Sequence, residues 1–443
     1  MKLLFVSNGF PPRGQWGTEF YTHQLVMGLR KAGHEVAVMH PVRDGAQPRY
    51  SLERAEGDAG VPVFLLHNPG DPTKRFESSY RDSQVEERFR EVLEAWQPDL
   101  VHFTYLLWGL SIGLPKVARE AGVARVATLT DYGLLCHRGQ MFNADLVRCE
   151  GPHPPAICAR CVRQPSVYDL PLLPRMAKHA AAELLACVGG AGQVPVEADF
   201  ARREEAARAA LEEVQYLVAP TQVLADSFEG WGVPAERLAV ECYSIDPEPY
   251  AIARLEPPRE PVRFGFFGQF TPHKGLHVLF DAVERLSRRL PESVEPWEVQ
   301  LYGKPAGGRN QLYARSIFER DPGPRVIIGD SFSPPEAPRV LAPLHALVLP
   351  SLWDENAPLT CLQARAAGVP VLGSDNAGIA EVIRHGEHGL LFPAGDAAAL
   401  ADCMREVILG RLGRHPNPTQ PVDPAAHLGR ILGLYEAAMR VLA

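Results

Sequence analysis

Short unbroken apolar runs alternate along this chain with segments whose apolar residues recur every three or four positions. The runs read as buried strands and the recurring patterns as amphipathic helices. In the first half, strands are predicted over 3–7, 35–39, 61–66, 100–103, 126–129 and 216–219. Helical patterns fall over 18–32, 85–96 and 114–121, the first capped by Thr18 and stopped by Gly33. After a Pro-rich stretch at 257–261 the pattern restarts. Strands are predicted over 263–267, 298–302, 326–328, 346–349, 369–373 and 389–392, with helices over 276–289 and 359–367. A mixed-charge segment over 194–214 reads as a helix with a solvated face, and 427–443 as a final helix.

Continuous apolar strands separated by helices imply parallel sheets covered on both faces. The fold class is therefore α/β, with two facing, doubly wound, Rossmann-like domains and ligand in the cleft at the carboxyl ends of the strands. The expected domains are 1–255, containing a Cys-rich loop at 136–161, then 256–425, then a C-terminal segment at 426–443.

Composition narrows the function. The chain has 443 residues, enough for two cores. Its net charge of -8 argues against a general nucleic-acid binder. No apolar run approaches the roughly 20 residues that span a bilayer. The apolar core of residues 1–10 is too short for a signal peptide, so a cytoplasmic location is expected, with at most peripheral contact at the inner face of a membrane. With 41 prolines and 38 glycines, tight loops are many; Pro-rich connections are read at 152–155, 257–261 and 416–421. A nicotinamide enzyme would share the sheets, but no Gly-x-Gly-x-x-Gly follows the first strand or Phe267. The glycines at 189–192 follow a helical pattern instead.

Four places carry candidate chemistry. At 350–370 a strand runs through a Pro-Ser turn to Glu355, then Pro358, then a helix ended by Gly368. Free N–H groups at that helix start, beside one carboxylate, suit a sugar phosphate. The loop 268–275 sets Lys274 beside Gly275 after a strand, where an ammonium can neutralise a diphosphate without a metal. The stretch 128–132 ends a first-half strand with Thr130 and Asp131. Finally Cys136, Cys149, Cys158 and Cys161, the last two as Cys-x-x-Cys, lie in a loop poor in apolar residues. Four thiolates so spaced suggest a structural zinc knot; free or redox cysteines are the alternative. Cys187, Cys242, Cys361 and Cys403 read as core thiols.

These motifs together resemble the large retaining glycosyltransferase family 4, the group 1 glycosyltransferases of GT-B fold, and within it a subgroup with a cysteine-rich loop. Glu355 stands at the first Glu of the family's Glu-x7-Glu motif and Gln363 at the second. Lys274 matches the lysine of the Gly-Arg-x4-Lys-Gly loop, with Gln269 at the arginine. Gly14 and Gly17 resemble the Gly-Gly loop after the first strand, here separated by Gln15 and Trp16. Thr130 stands where a His usually precedes Asp131. Residues 219–222, 244–246 and 378–381 also match.

The resemblance implies transfer of a sugar, with retention, from a nucleotide diphosphate sugar to an acceptor hydroxyl on a polysaccharide, lipid-linked or natural-product glycan. No catalytic metal is expected. Glu355, Lys274, Asp131 and Thr130 would be catalytic. Gly14, Gly17, Gln269, Lys274, Asn356, Ala357, Pro358, Leu359 and Gln363 would bind the donor. The final helix would cross back onto the first domain. Three departures (Gln269, Thr130, Gln363) keep two alternatives open: a catalytically weak sugar-nucleotide binding protein, and a sugar-nucleotide epimerase of similar fold.

Overall fold

A computed structural model describes residues 1–14, 16–69, 76–143, 145–164, 195–255, 260–290, 296–305, 307, 310–320, 323–415 and 422–442. Gln15, Cys187, the 189–192 glycines, most of the 257–261 stretch and all of 416–421 lie outside them.

The first sheet contains β1 (Lys2–Val6), β2 (Glu35–Val42), β3 (Leu52–Glu56), β4 (Pro62–His67), β5 (Leu100–Phe103), β6 (Ala124–Thr128), β7 (Tyr216–Ala219) and β8 (Leu238–Val240), in the order β3-β4-β2-β1-β5-β6-β7-β8. Leu3, Leu4, Phe5 and Val6 are all buried, so β1 is covered on both faces, as a central parallel strand must be. Every pairing is parallel except β3 with β4. The pattern did not predict β3 or β8. Strand β3 reads Leu-Glu-Arg-Ala-Glu and is half exposed at the sheet edge; β8 has three residues.

The second sheet contains β9 (Val262–Phe267), β10 (Trp297–Tyr302), β11 (Val326–Gly329), β12 (Ala346–Leu349), β13 (Val371–Ser374) and β14 (Gly389–Phe392), ordered β11-β10-β9-β12-β13-β14 and all parallel. The strand order reverses between β1 and β5 in one sheet and between β9 and β12 in the other, and ligands of open α/β sheets bind at such reversals. Helix Leu276–Arg289 buries Leu276, Leu279, Phe280, Val283 and Leu286, a stripe of helical period, and packs on helix Ala397–Ile408.

One hydrophobic cluster holds Phe5 of the first sheet, Leu349 and Leu362 of the second half, and Tyr435 of the last helix. That helix, Pro424–Arg440, is capped by Asp423, buries His427, Ile431, Tyr435 and Ala438, and lies on helix Gly17–Lys31 and β6. The Tyr435 hydroxyl lies 2.6 Å from buried His102 Nδ1, and Gln215 Nε2 donates to the Ala438 carbonyl at 2.9 Å.

Two local expectations change. The first helix, Gly17–Lys31, has Trp16 rather than Thr18 at its N-cap and no capping side chain. The charged segment forms helix Glu197–Glu212, but Arg203 on it is buried, donating to the Gly133 and Leu134 carbonyls. It therefore braces the loop after β6 instead of facing solvent. The Cys-rich loop, poor in apolar residues, packs its Met141 and Phe142 into the first-half cluster.

Candidate active site

The loop after β9 turns through Pro272–Lys274 into Gly275, whose φ is +72°. A Cβ there would lie 1.8 Å from the Pro350 carbonyl oxygen. Only glycine allows the two loops this approach, and the approach sets Lys274 beside the loop that follows β12. Lys274 Nζ donates to Glu355 Oε1 at 2.7 Å, and Ser351 Oγ donates to the same oxygen at 2.6 Å. Burial alone would raise the Glu355 pKa; the Lys274 ammonium, with these bonds, outweighs it and holds the carboxyl below its usual range. Lys274 Nζ also lies 5.3 Å from the Trp353 ring centroid.

After Glu355 the chain passes through buried Ala357 in the left-handed region, φ +45°, before helix Leu359–Ala366 begins. Strain of this kind persists only where surroundings impose it. Gly378 is part of those surroundings, since a Cβ on it would lie 1.4 Å from the Glu355 carbonyl oxygen. Pro358 occupies the N-cap and has no N–H, so as a main-chain donor it drops out of the expected set. Leu359 and Thr360 supply the first N–H groups, which lack intrahelical acceptors. Asn356 is committed elsewhere: its Oδ1 accepts from Thr221 Oγ1 at 3.1 Å and its Nδ2 donates to the Leu129 carbonyl at 3.2 Å. Its side chain thus ties the two halves together. Arg148–Asp354 at 2.5 Å, and Glu381 accepting from the Gln222 and Val223 N–H groups at 2.6 and 2.9 Å, do the same.

A cavity of about 1010 Å³ opens between the halves. Of the expected site residues, Gly14, Gly17, Thr130, Asp131, Gln269, Lys274, Glu355, Asn356, Ala357, Pro358 and Leu359 line it. Gln363 does not; it lines an adjoining hollow with Tyr302 and Phe332, and lies within hydrogen-bonding reach of Tyr250. Trp16, Gly17, Phe267, Gly268, Leu359 and Thr360 belong to both spaces. Trp16, half exposed, also has Lys304 Nζ 5.6 Å from its ring, so it faces the second half.

The Thr130 hydroxyl donates to the Thr104 carbonyl at 3.1 Å, leaving only its lone pairs for a ligand. Burial pushes the Asp131 carboxyl up to about 6, against the Gly133 N–H bonded at 2.7 Å and the nearby Arg203 charge. The sequence reading passed over Asn8, Glu19, Arg43 and Tyr105 on the same wall. Their signal was slight: Asn8, Arg43 and Tyr105 are single polar residues just beyond the ends of β1, β2 and β5, and Glu19 is one acidic residue in the first turn of helix Gly17–Lys31.

Cys136, Cys149, Cys158 and Cys161 are half-buried free thiols. Burial and the other three thiols push Cys158 up to about 11. Four thiols suit zinc chemically. As they stand, no three His, Cys, Asp or Glu side chains among the described residues are gathered around a point that could hold a metal ion. His137, next to Cys136 in the chain, is packed against the Phe76 and Phe200 rings.

The family model for glycosyl transferases group 1 matches residues 261–409, and that for the glycosyl transferase 4-like domain matches 17–243. The amylovoran biosynthesis glycosyltransferase AmsK of Erwinia amylovora is 30% identical over 200 residues, covering 44% of this chain and 46% of that one. The chain thus spans about half the length of the first curated relatives it matches. Glycogen synthase of Mycobacterium tuberculosis is 24% identical over 92% of this chain and 86% of its own. Among solved structures, HepE of Anabaena in complex with UDP and glucose superposes with a TM-score of 0.63 at 16% identity, covering 99% of this chain and all of that one. That likeness shows the fold, two parallel-sheet α/β domains of GT-B type. With the two family models together spanning most of both halves, the chain belongs to the group 1 glycosyltransferases with a glycosyl transferase 4-like N-terminal domain.

Proposed function

We propose that the cleft binds a nucleotide diphosphate sugar and that the enzyme moves the sugar, with retention, to a hydroxyl of a glycan or lipid-linked acceptor. The observation that carries this reading is the Lys274–Glu355 pair, held at 2.7 Å on the cavity wall just before the start of helix Leu359–Ala366. Set against each other in this way, the two charges neutralise each other. An arriving diphosphate competes for Lys274 and meets the Leu359 and Thr360 N–H groups. Glu355, released from Lys274, turns its charge toward the sugar, where positive charge develops at the anomeric carbon as its bond to the diphosphate breaks. The acceptor hydroxyl attacks from the same face, and its proton passes to the leaving phosphate oxygen. Thr130 supplies no base near neutral pH. Gln363 faces the ribose from the adjoining hollow, and neutral Gln269 leaves diphosphate neutralisation to Lys274 and the helix start.

The family match supports transfer over epimerisation. That HepE was solved with UDP makes UDP the first probe. Calorimetry is expected to show UDP bound by the wild-type chain and at least about tenfold weaker for Lys274→Ala; equal affinity overturns the donor reading. No helix among the described residues is long and apolar enough to cross a membrane, and a cytoplasmic enzyme with at most peripheral membrane contact belongs to the proposal. So does a structural zinc on Cys136, Cys149, Cys158 and Cys161. Metal analysis of the purified chain is expected to give about one zinc with the thiols protected; none, with all four thiols titrating freely, removes it.

A further inference from the structure

We propose that Arg148 and Phe142 are positioning residues for the Lys274–Glu355 pair, clasping from the first half the two loops that carry it. The inference deepens the donor reading above and rests on it for what the pair does. Residues 141–143 and 147–149 pair antiparallel. The Cys149 N–H donates to the Met141 carbonyl at 2.7 Å and the Asn143 N–H to the Val147 carbonyl at 3.0 Å, so Phe142 and Arg148 stand opposite each other. Directly opposed residues carry their side chains on one face of the ladder.

Both of these side chains reach the second half. The Phe142 ring meets the His273 ring edge-on at 6.5 Å between centroids, and His273 directly precedes Lys274. Arg148 Nε pairs with Asp354 Oδ2 at 2.5 Å, and Asp354 directly precedes Glu355. Each arm of the clasp therefore lands one residue away from one member of the pair. Neither Phe142 nor Arg148 lines the cavity, so both act through the residues they touch.

The two loops so held are also joined to each other. The Leu352 N–H donates to the His273 carbonyl at 2.8 Å, and the Trp353 ring lies 5.4 Å from the His273 ring and 5.3 Å from Lys274 Nζ. Trp353 is buried in the first-half cluster, with Tyr132 edge-on at 6.3 Å. Asp354 is buried as well. Burial raises its pKa, opposed by the Arg148 charge and the Ala377 backbone. A buried carboxylate stripped of its partner takes a proton or draws its loop toward water, and Glu355 is the next residue on that loop.

The test uses the full chain with 5-fluorotryptophan at its six tryptophans, the Trp353 fluorine resonance being assigned from its loss in Trp353→Phe. UDP binding is read by calorimetry. Arg148→Ala is expected to shift the Trp353 resonance of the free chain and to weaken UDP binding about fivefold. Arg148→Lys, which keeps a charge for Asp354, is expected to recover part of both. Phe142→Leu keeps an apolar side chain in the core and is expected to move both readouts through His273. It decides the question should Arg148→Ala fail to fold.

A folded Arg148→Ala chain with the wild-type Trp353 resonance overturns the proposal. So does one whose resonance shifts while UDP affinity stays within about twofold, because the contact then joins the halves without placing the pair. If the wild-type chain ignores UDP, the donor reading fails, and an Arg148-dependent Trp353 resonance still supports the placement of the loops.

Discussion

At the residue scale, the site is a set of charges held in unfavourable surroundings by specific partners. Removing Lys274 leaves Glu355, which is 3% exposed, as an uncompensated buried charge. Such losses cost about 3–5 kcal/mol, and Lys274→Ala is expected toward the lower end because the lysine itself is partly exposed. Adding Glu355→Gln to that variant is expected to restore most of the stability in urea unfolding without restoring UDP binding. If stability and binding return together, the pair is structural only. Asp131 gives a signed pH dependence. With its carboxyl raised from 3.8 to about 6, the folded chain keeps a proton that the unfolded chain has released. Stability therefore falls as pH rises through that window, by on the order of 3 kcal/mol at most. Asp131→Asn is expected to flatten this slope and to be the more stable protein above pH 6; equal slopes in urea unfolding at pH 4.5 and 7 would contradict it.

At the element scale, two strand-to-helix loops do the positioning, and each depends on a glycine where another chain passes. Gly275 touches the Pro350 carbonyl and Gly378 the Glu355 carbonyl. Gly275→Ala combines a left-handed backbone with a contact no atom can make, so the Lys274 turn must move. The expected outcome is a loss of about 3 kcal/mol or more together with weakened UDP binding. A variant that melts normally and binds UDP normally would show that the close approach is unimportant. Helix Glu197–Glu212 shows how an element acts indirectly. Its buried Arg203 holds the Gly133 and Leu134 carbonyls and so fixes the loop that carries Asp131.

At the scale of the molecule, the halves share one cluster of apolar side chains, and the last helix closes it. Asn356, Arg148 with Asp354, and Glu381 cross between the halves. A single cooperative calorimetric transition is expected for the full chain; two resolved transitions would show that the shared cluster does not couple the halves. Tyr435→Phe removes the Nδ1 partner of buried His102 and leaves Thr128 at Nε2, and is expected to cost about 1–2 kcal/mol and lower that transition by a few degrees.

What the sequence determined by itself was local. Short apolar runs such as 3–6 and 346–349, bounded by turn residues, read as strands covered on both faces, and Lys274 and Glu355 could be picked out because each sits at a strand-to-helix loop where ligands bind. Chain-local physics also misplaced a few features. β3 was missed because its residues are charged and half exposed, and Arg203 was assigned to solvent because its neighbours in sequence are charged. Thr18 lost the cap position to Trp16. Only the tertiary structure decided that Lys274 and Glu355, 81 residues apart, meet at 2.7 Å. It alone set Asn356 to bridging the halves. Those outcomes depend on how two sheets and a last helix approach one another, and no periodicity along a single chain records that distance.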